Sequence, residues 1–337
     1  MSTNKQNSIG VDSGKHRLLS GVKPTGQPHI GNYFGAMKQF VDLQNDYKSS
    51  IFIADLHALT SVQSKEELRE ATLNVAIDYL AIGLDSKKTL IFKQSDTPQV
   101  TELAWIFSCL TTMPYLMRAH TFKDAEAKNK DINVGVFEYP LLMAADILLN
   151  DADVVPVGLD QAQHLEIARD TARVFNRMFE ETFKEPKALI LENVKIVPGT
   201  DGQKMSKSYN NTIPLFATDE EIKKAVMSIP TDSRGVNDAK DPETDKVFAL
   251  HKLFSDKNSL MELGEKYRKG GIGYKESKEI LIKSVSMCVA PLREKRAKIA
   301  QDRQGVTDML EEAGKRAYAH AEEKMKEVRE KVGLTLE

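Results

Sequence analysis

The sequence predicts an α/β fold in which a parallel sheet, covered by helices on both faces, is followed by a wholly helical part. Two observations predict it. Through the first half, short apolar or β-branched runs alternate with longer stretches of helical periodicity, the pattern of a parallel sheet with covered faces. After about Tyr209 the strand signals stop and only amphipathic helical stretches follow.

Residues 1–15 are a polar leader without the apolar stretch of a secretory signal. Leu18–Val22, Ser50–Ala54, Thr89–Phe92, Val154–Val157 and Ala188–Leu191 are strand candidates. Ser64 and Glu67 form a capping-box pattern, after which Leu68, Ala71, Val75, Tyr79 and Leu80 recur at helical steps. Gly83 is placed to end that helix. Asp160–Phe179 is long enough for another. Thr218 with Glu221 opens a further helix by the same capping pattern. Helices are expected again from Val247, Lys275 and Gly305, with Pro291 kinking or starting one. The chain is thus expected to divide into residues 16–210 and 211–337.

Composition bounds the function classes. The chain has 337 residues, 41% hydrophobic and 28% charged, ordinary for a water-soluble protein. No stretch approaches the roughly 20 apolar residues that span a bilayer. Cys109 and Cys288 are too few and too far apart for a disulfide framework or a zinc site. A cytoplasmic protein without a structural metal is expected. The net charge of −2 argues against a surface built throughout for nucleic acid. Between Gly264 and Ala300, however, ten Lys or Arg face four acidic residues, leaving a local basic excess open beside a plain solvated helix face.

Two segments carry chemistry. In Ser20-Gly21-Val22-Lys23-Pro24-Thr25-Gly26-Gln27-Pro28-His29-Ile30-Gly31-Asn32 a strand runs into a Gly/Pro-rich turn, and a helix can begin near His29. An open parallel sheet binds ligands at such a place, with backbone N–H groups facing an anion. His29 and Asn32, three apart, share one face of the first turn and can both donate to one phosphate, while Gly31 lets a base or phosphate come close. The turn is neither a Walker loop nor a dinucleotide fingerprint. In the second segment, Lys204-Met205-Ser206-Lys207-Ser208, two lysines three apart follow Gly199 and Gly202. Flexible point charges of this kind can clamp a triphosphate.

A His-Ile-Gly-Asn turn after the first strand, with Lys-Met-Ser-Lys-Ser at the end of an α/β domain, resembles the signature pair of class I aminoacyl-tRNA synthetases. The stretch Tyr139-Pro140-Leu141-Leu142-Met143-Ala144-Ala145-Asp146 resembles the amino-acid-recognition helix of the tryptophanyl-tRNA synthetases among them. Asp55-Leu56-His57-Ala58-Leu59-Thr60 and Val157-Gly158-Leu159-Asp160-Gln161-Ala162-Gln163-His164 are similar to two further stretches of that family. The sister tyrosyl family typically carries Lys-Phe-Gly-Lys-Ser where this chain has Met205.

The resemblance implies a Rossmann-like catalytic domain over residues 16–210 and a helical anticodon-binding domain over 211–337. It implies ATP-dependent activation of L-tryptophan and its transfer to tRNA(Trp) by a homodimer. ATP is assigned to Lys23, Thr25, Gly26, His29, Gly31, Asn32, Gly158, Asp160, Gln161, Val197, Lys204, Met205, Ser206, Lys207 and Ser208. Tryptophan is assigned to Gly21, His57, Tyr139, Met143, Asp146 and Gln161. Within these sets His29, Asn32, Lys204 and Lys207 act on the transferred phosphate and the departing pyrophosphate, with Mg²⁺ held mainly by phosphates. Asp146, costly in an apolar run unless paired, accepts the indole N–H. Two departures stand out. Lys23 occupies a place where the family often has Gln, and Phe122-Lys123-Asp124-Ala125 ends without the family's lysine. Lys23 is therefore expected to supply the charge missing at Ala125.

Overall fold

The computed structural model describes residues 16–118, 132–157, 162–190 and 197–336. Five strands form one parallel sheet: β1 (Arg17–Val22), β2 (Lys48–Ile53), β3 (Thr89–Lys93), β4 (Val154–Val157) and β5 (Lys187–Ile190). Their order is β3-β2-β1-β4-β5, with Leu18 of β1 facing Ser49 on one side and Val154 on the other. The order reverses beside β1, so the crevice beyond the carboxyl ends of β1 and β4 is the ligand-binding place of an open sheet.

The strands are apolar toward both layers because each face is covered. Leu19, Phe52, Phe92 and Val155 pack with α5 (Gln99–Leu110), α7 (Val134–Leu149) and α8 (Ala162–Phe179). Leu18, Ile51, Ile53, Ile91 and Val154 pack on the other face with α4 (Lys65–Ile82). Ser64 caps α4 by accepting from the Glu67 N–H, and Gly83 ends it in the left-handed region at φ 116°.

The first helix is interrupted. His29 caps α1 (Ile30–Asn32), which passes through a π turn at Tyr33–Met37 into α2 (Lys38–Leu43). Short helices α3 (Asp55–Ala58) and α6 (Met113–Leu116) follow β2 and α5.

Beyond β5 the described structure is helical: α9 (Asp219–Met227), α10 (Lys246–Phe254), α11 (Lys257–Lys269), α12 (Tyr274–Gln301) and α13 (Arg303–Lys331). Thr218 and Glu221 form a reciprocal capping box at α9, and Pro291 lies within α12. The described strands all lie before residue 210 and helices lie on both sides of it, and the two halves share their cores. Val306 and Leu310 of α13 enter the α4 layer, while Ala313, Ala317, Ala321, Met325 and Val328 enter the opposite one. A further cluster joins Ile30 and Met205, the apolar residues of the two signature loops, to Ile222, Val226, Val247, Leu250, Leu281 and Val285 of α9, α10 and α12.

Candidate active site

Two cavities meet at the carboxyl end of β1. One, of about 570 Å³, is lined by Gly21, Phe52, His57, Thr60, Tyr139, Met143 and Ile147 among others. The second, of about 540 Å³, is lined by Thr25, Gly26, His29, Asn32, Asp78, Ser206 and Lys207 among others. Ser20, Gly21, Lys23 and Pro156 belong to both walls. A ligand could therefore reach from an apolar chamber into a chamber rich in hydrogen-bond donors without leaving the protein.

His29 and Asn32 cap each other. The His29 N–H donates to Asn32 Oδ1 at 3.0 Å, and the Asn32 N–H donates to His29 Nδ1 at 3.3 Å. With Nδ1 accepting, the proton of the neutral ring sits on Nε2, and the Asn32 amide group keeps its N–H₂ for another partner. Burial, with the Lys207 ammonium adding to it, pushes the His29 pKa down to about 4. The ring is therefore neutral at pH 7 and contributes a donor, not a charge.

Gly31 differs from expectation. A Cβ there would stand 2.8 Å from His29 Nδ1 and 3.1 Å from Met205 Cβ, so its missing side chain makes room for protein atoms, not for a base or phosphate. Its N–H donates to Met205 Sδ at 3.2 Å, and Met205 itself is buried. The Lys207 ammonium donates to the Thr25 carbonyl at 2.9 Å, above Gly26, which adopts φ 61°. Burial lowers the pKa of Lys207 and of Lys23. Lys204 is exposed and lines neither cavity, so the structure brings one of the two lysines to the chamber wall. Ser206 caps a 3₁₀ turn by accepting from the Ser208 N–H at 3.3 Å. Val197 is buried in the core, with its carbonyl accepting from the Met205 N–H at 2.8 Å; its side chain is not at the cavity.

In the apolar chamber, Tyr139 and Met143 line the wall as their spacing on α7 predicts. Asp146 lies behind that wall, 3% exposed. His57 Nε2 lies 3.0 Å from Asp146 Oδ2, and Gln94 Nε2 donates to both carboxylate oxygens at 2.9 and 2.8 Å. Burial raises the Asp146 pKa, and the bonds from His57 and Gln94 oppose that rise. The Lys23 ammonium donates to Thr60 Oγ1 at 2.9 Å. Gly158, Asp160, Gln161 and the stretch containing Ala125 lie outside the described residues.

The sequence profile of the family described as "tRNA synthetases class I (W and Y)" matches residues 12–298. The chain belongs to this family. A tryptophan–tRNA ligase from Rhodopirellula baltica is 49% identical over 318 residues, covering 94% of this chain and 99% of that protein. One from Fusobacterium nucleatum is 50% identical over 319 residues, covering 94% and 98%. Among solved structures, tryptophanyl-tRNA synthetase from Campylobacter jejuni, complexed with ADP and tryptophan, superposes with TM-score 0.88 at 45% identity. It covers 94% of this chain and 99% of its own.

For this class I synthetase the structure adds residues that sequence reasoning passed over. Gln94, 1% exposed at the end of β3, also accepts the His57 N–H on its side-chain oxygen at 3.2 Å. Thr60 joins Lys23 to the His57 carbonyl, which its hydroxyl meets at 2.8 Å. A lone Gln after a strand carries no sequence signal, because its meaning lies in a carboxylate 52 residues away.

Proposed function

We propose that this chain is a tryptophan–tRNA ligase: it condenses L-tryptophan with ATP to tryptophanyl-adenylate and pyrophosphate, then transfers tryptophan to tRNA(Trp). The observation that carries the reading is the meeting of an apolar chamber and a donor-lined chamber at Ser20, Gly21 and Lys23. The tryptophan carboxylate would reach the α-phosphate there.

The carboxylate is ionised at pH 7, so its attack on the α-phosphorus needs no general base and depends on positioning and charge stabilisation. Neutral His29 donates from Nε2 and Asn32 from Nδ2 to the phosphate as its charge grows. Lys207, with Lys204 swinging in from the exposed side of the loop, neutralises the departing pyrophosphate. Lys23, at the junction, serves the charge that Ala125 does not supply. Gly158, Asp160 and Gln161 serve ribose and ammonium contacts. The chamber's polar groups are mainly donors, which suit phosphate oxygens and not a bare cation; its carboxylate, Asp78, is held by Arg296. Mg²⁺ would therefore arrive on ATP and keep phosphate and water ligands.

In the apolar chamber Tyr139, Met143 and His57 hold the indole, and Asp146 accepts its N–H. A carboxylate has about four lone-pair sites, so the bonds from Gln94 and His57 leave acceptor capacity. The helical half, residues 211–337, binds the anticodon region. Of the ten cations between Gly264 and Ala300, Lys278, Arg293 and Arg296 are committed to the Ile229 carbonyl, the Ala217 carbonyl and Asp78. The other seven are exposed, Arg268 and Lys269 among them paired with Glu265 on the surface, and would meet RNA phosphates. Exposed Trp105, Met113, Met117 and Val134 support assembly as a homodimer. Among the described residues no helix is long and apolar enough to cross a membrane. A ligase that charges tRNA would work in the cytoplasm, where its tRNA and ATP are.

ATP–pyrophosphate exchange, with each of the twenty amino acids offered separately, tests the reading. Exchange with tryptophan alone is expected. Exchange with tyrosine in its place would assign the sister activity, and none with any amino acid would remove the catalytic reading.

A further inference from the structure

The lysine loop is organised by one side chain outside the signature. Asn211 is 2% exposed. Its Oδ1 accepts the Ser206 N–H at 2.8 Å, while its Nδ2 donates to the Lys204 carbonyl at 3.1 Å and to Asp201 Oδ1 at 2.7 Å. Its carbonyl accepts the Thr200 N–H at 3.0 Å. Three groups, before, at and after Lys204, thus converge on a single carboxamide.

The surrounding sequence is arranged to seat it. Asn210 turns the chain back through the left-handed region at φ 51°, which Asn tolerates better than most residues. A Cβ on Gly199 would stand 2.3 Å from Asn211 Nδ2 and 2.7 Å from its carbonyl oxygen, so only glycine leaves room. Asp201 is fixed in turn by accepting the Gln203 N–H at 2.9 Å. The underside of the loop is held independently by buried Met205.

We propose that Asn211 is a positioning residue for the activation step: its carboxamide holds the backbone on both sides of Met205 so that Lys204 and Lys207 are presented at the separation the triphosphate requires. The inference rests on the assignment of those lysines to ATP. Asn is suited to the place because one planar group offers an acceptor and two donors, matching one N–H, one carbonyl and one carboxylate. Aspartate could accept from Ser206 but would set a carboxylate against Asp201 and leave the Lys204 carbonyl without its donor.

Exchange kinetics with varied ATP or varied tryptophan test this. Asn211→Ala should raise the KM for ATP by about tenfold or more while the KM for tryptophan stays within about twofold. Asp201→Ala, which removes one of the three bonds at a partly exposed site, should raise the KM for ATP by about threefold. Asn211→Asp should lose more than Asn211→Ala, and adding Asp201→Asn to it should recover most of the difference by returning a donor to the pair. Equal rises in both KM values, or strictly additive losses in the paired variants, would overturn the proposal as mere destabilisation. Lys207→Ala separates the levels. If it leaves exchange intact, the lysine assignment itself fails; if it abolishes exchange while Asn211→Ala does not change the KM for ATP, only the role of Asn211 fails.

Discussion

At the scale of single residues, Asp146 shows how one carboxylate can be read correctly in kind and incompletely in place. Its position in an apolar run says that it needs a partner. The partners are Gln94, just after β3, and His57 of α3, and no periodicity on α7 could name them. Asp146→Ala removes the acceptor and strands two donors. It is expected to lower kcat/KM for tryptophan by roughly 10- to 1,000-fold, the 1–4 kcal/mol of a charged hydrogen bond in a buried site. Measuring kcat/KM for tryptophan and phenylalanine side by side checks the assignment. Unchanged discrimination between the two would leave Asp146 a purely structural carboxylate. Lys23 was legible as a departure, and the structure places it at the junction of the two chambers.

At the scale of elements, the strands and helix caps were legible because they are local. The five strands lie within two residues of the expected runs, since β-branched runs bounded by turns need only neighbouring residues to define them. Capping at Ser64 and Thr218 is equally local. The π turn at Tyr33–Met37 was not legible, because nothing in Tyr-Phe-Gly-Ala-Met forbids an ordinary helix. Helix α10 carries a testable consequence. His251 is fully buried, its Nε2 3.0 Å from the Ser277 carbonyl, and burial holds its pKa down to about 4. An unfolded histidine takes up a proton near pH 6.5, whereas this one does so only near pH 4. The unfolded state therefore binds more protons between those values, so stability is full above about pH 6.5 and falls as the pH drops toward 4. Lowering the pH from 7 to 5 should cost about 2 kcal/mol through this residue. Urea unfolding at both pH values checks it: His251→Gln should show a smaller pH dependence than the parent by about that amount. Equal dependence in the two proteins would mean that His251 does not titrate as described.

At the scale of the whole molecule, the helix-only half is bound to the sheet-bearing half by a buried ion pair as well as by shared cores. Arg296 of α12 donates from Nε to Asp78 of α4 at 2.5 Å and from Nη2 to Asn74 at 2.8 Å, and it lies 5.2 Å from the Phe216 ring centroid. Asp78 is 3% exposed, and its pKa is pushed up to about 6 by burial, with Arg296 opposing. Arg296→Met would leave that carboxylate unpaired, which costs about 3–5 kcal/mol for a buried charge. Adding Asp78→Leu should return much of the loss, because the pair is then replaced by apolar volume. Thermal or urea unfolding of both variants checks this; a single variant as stable as the parent would show that the seam does not depend on the pair.

By itself the sequence determined the strands, the caps, the halfway change from α/β to all-helix, and the two signature loops on which the functional reading rests. These depend on periodicity, turn chemistry and short motifs, all written within a few residues. Tertiary structure decided the rest. It placed Asp146 behind His57 and Gln94, turned Lys204 outward while docking Lys207 on the Thr25 carbonyl, and sent Val197 and Met205 into the core. It also laid α13 across both layers of the fold, so that the two sequence halves became one packed body. The physical reason is common to all four. A side chain's partner is fixed by burial and by the need to satisfy buried polar groups, and those conditions are met by residues from about 50 to more than 200 positions away that no local pattern encodes.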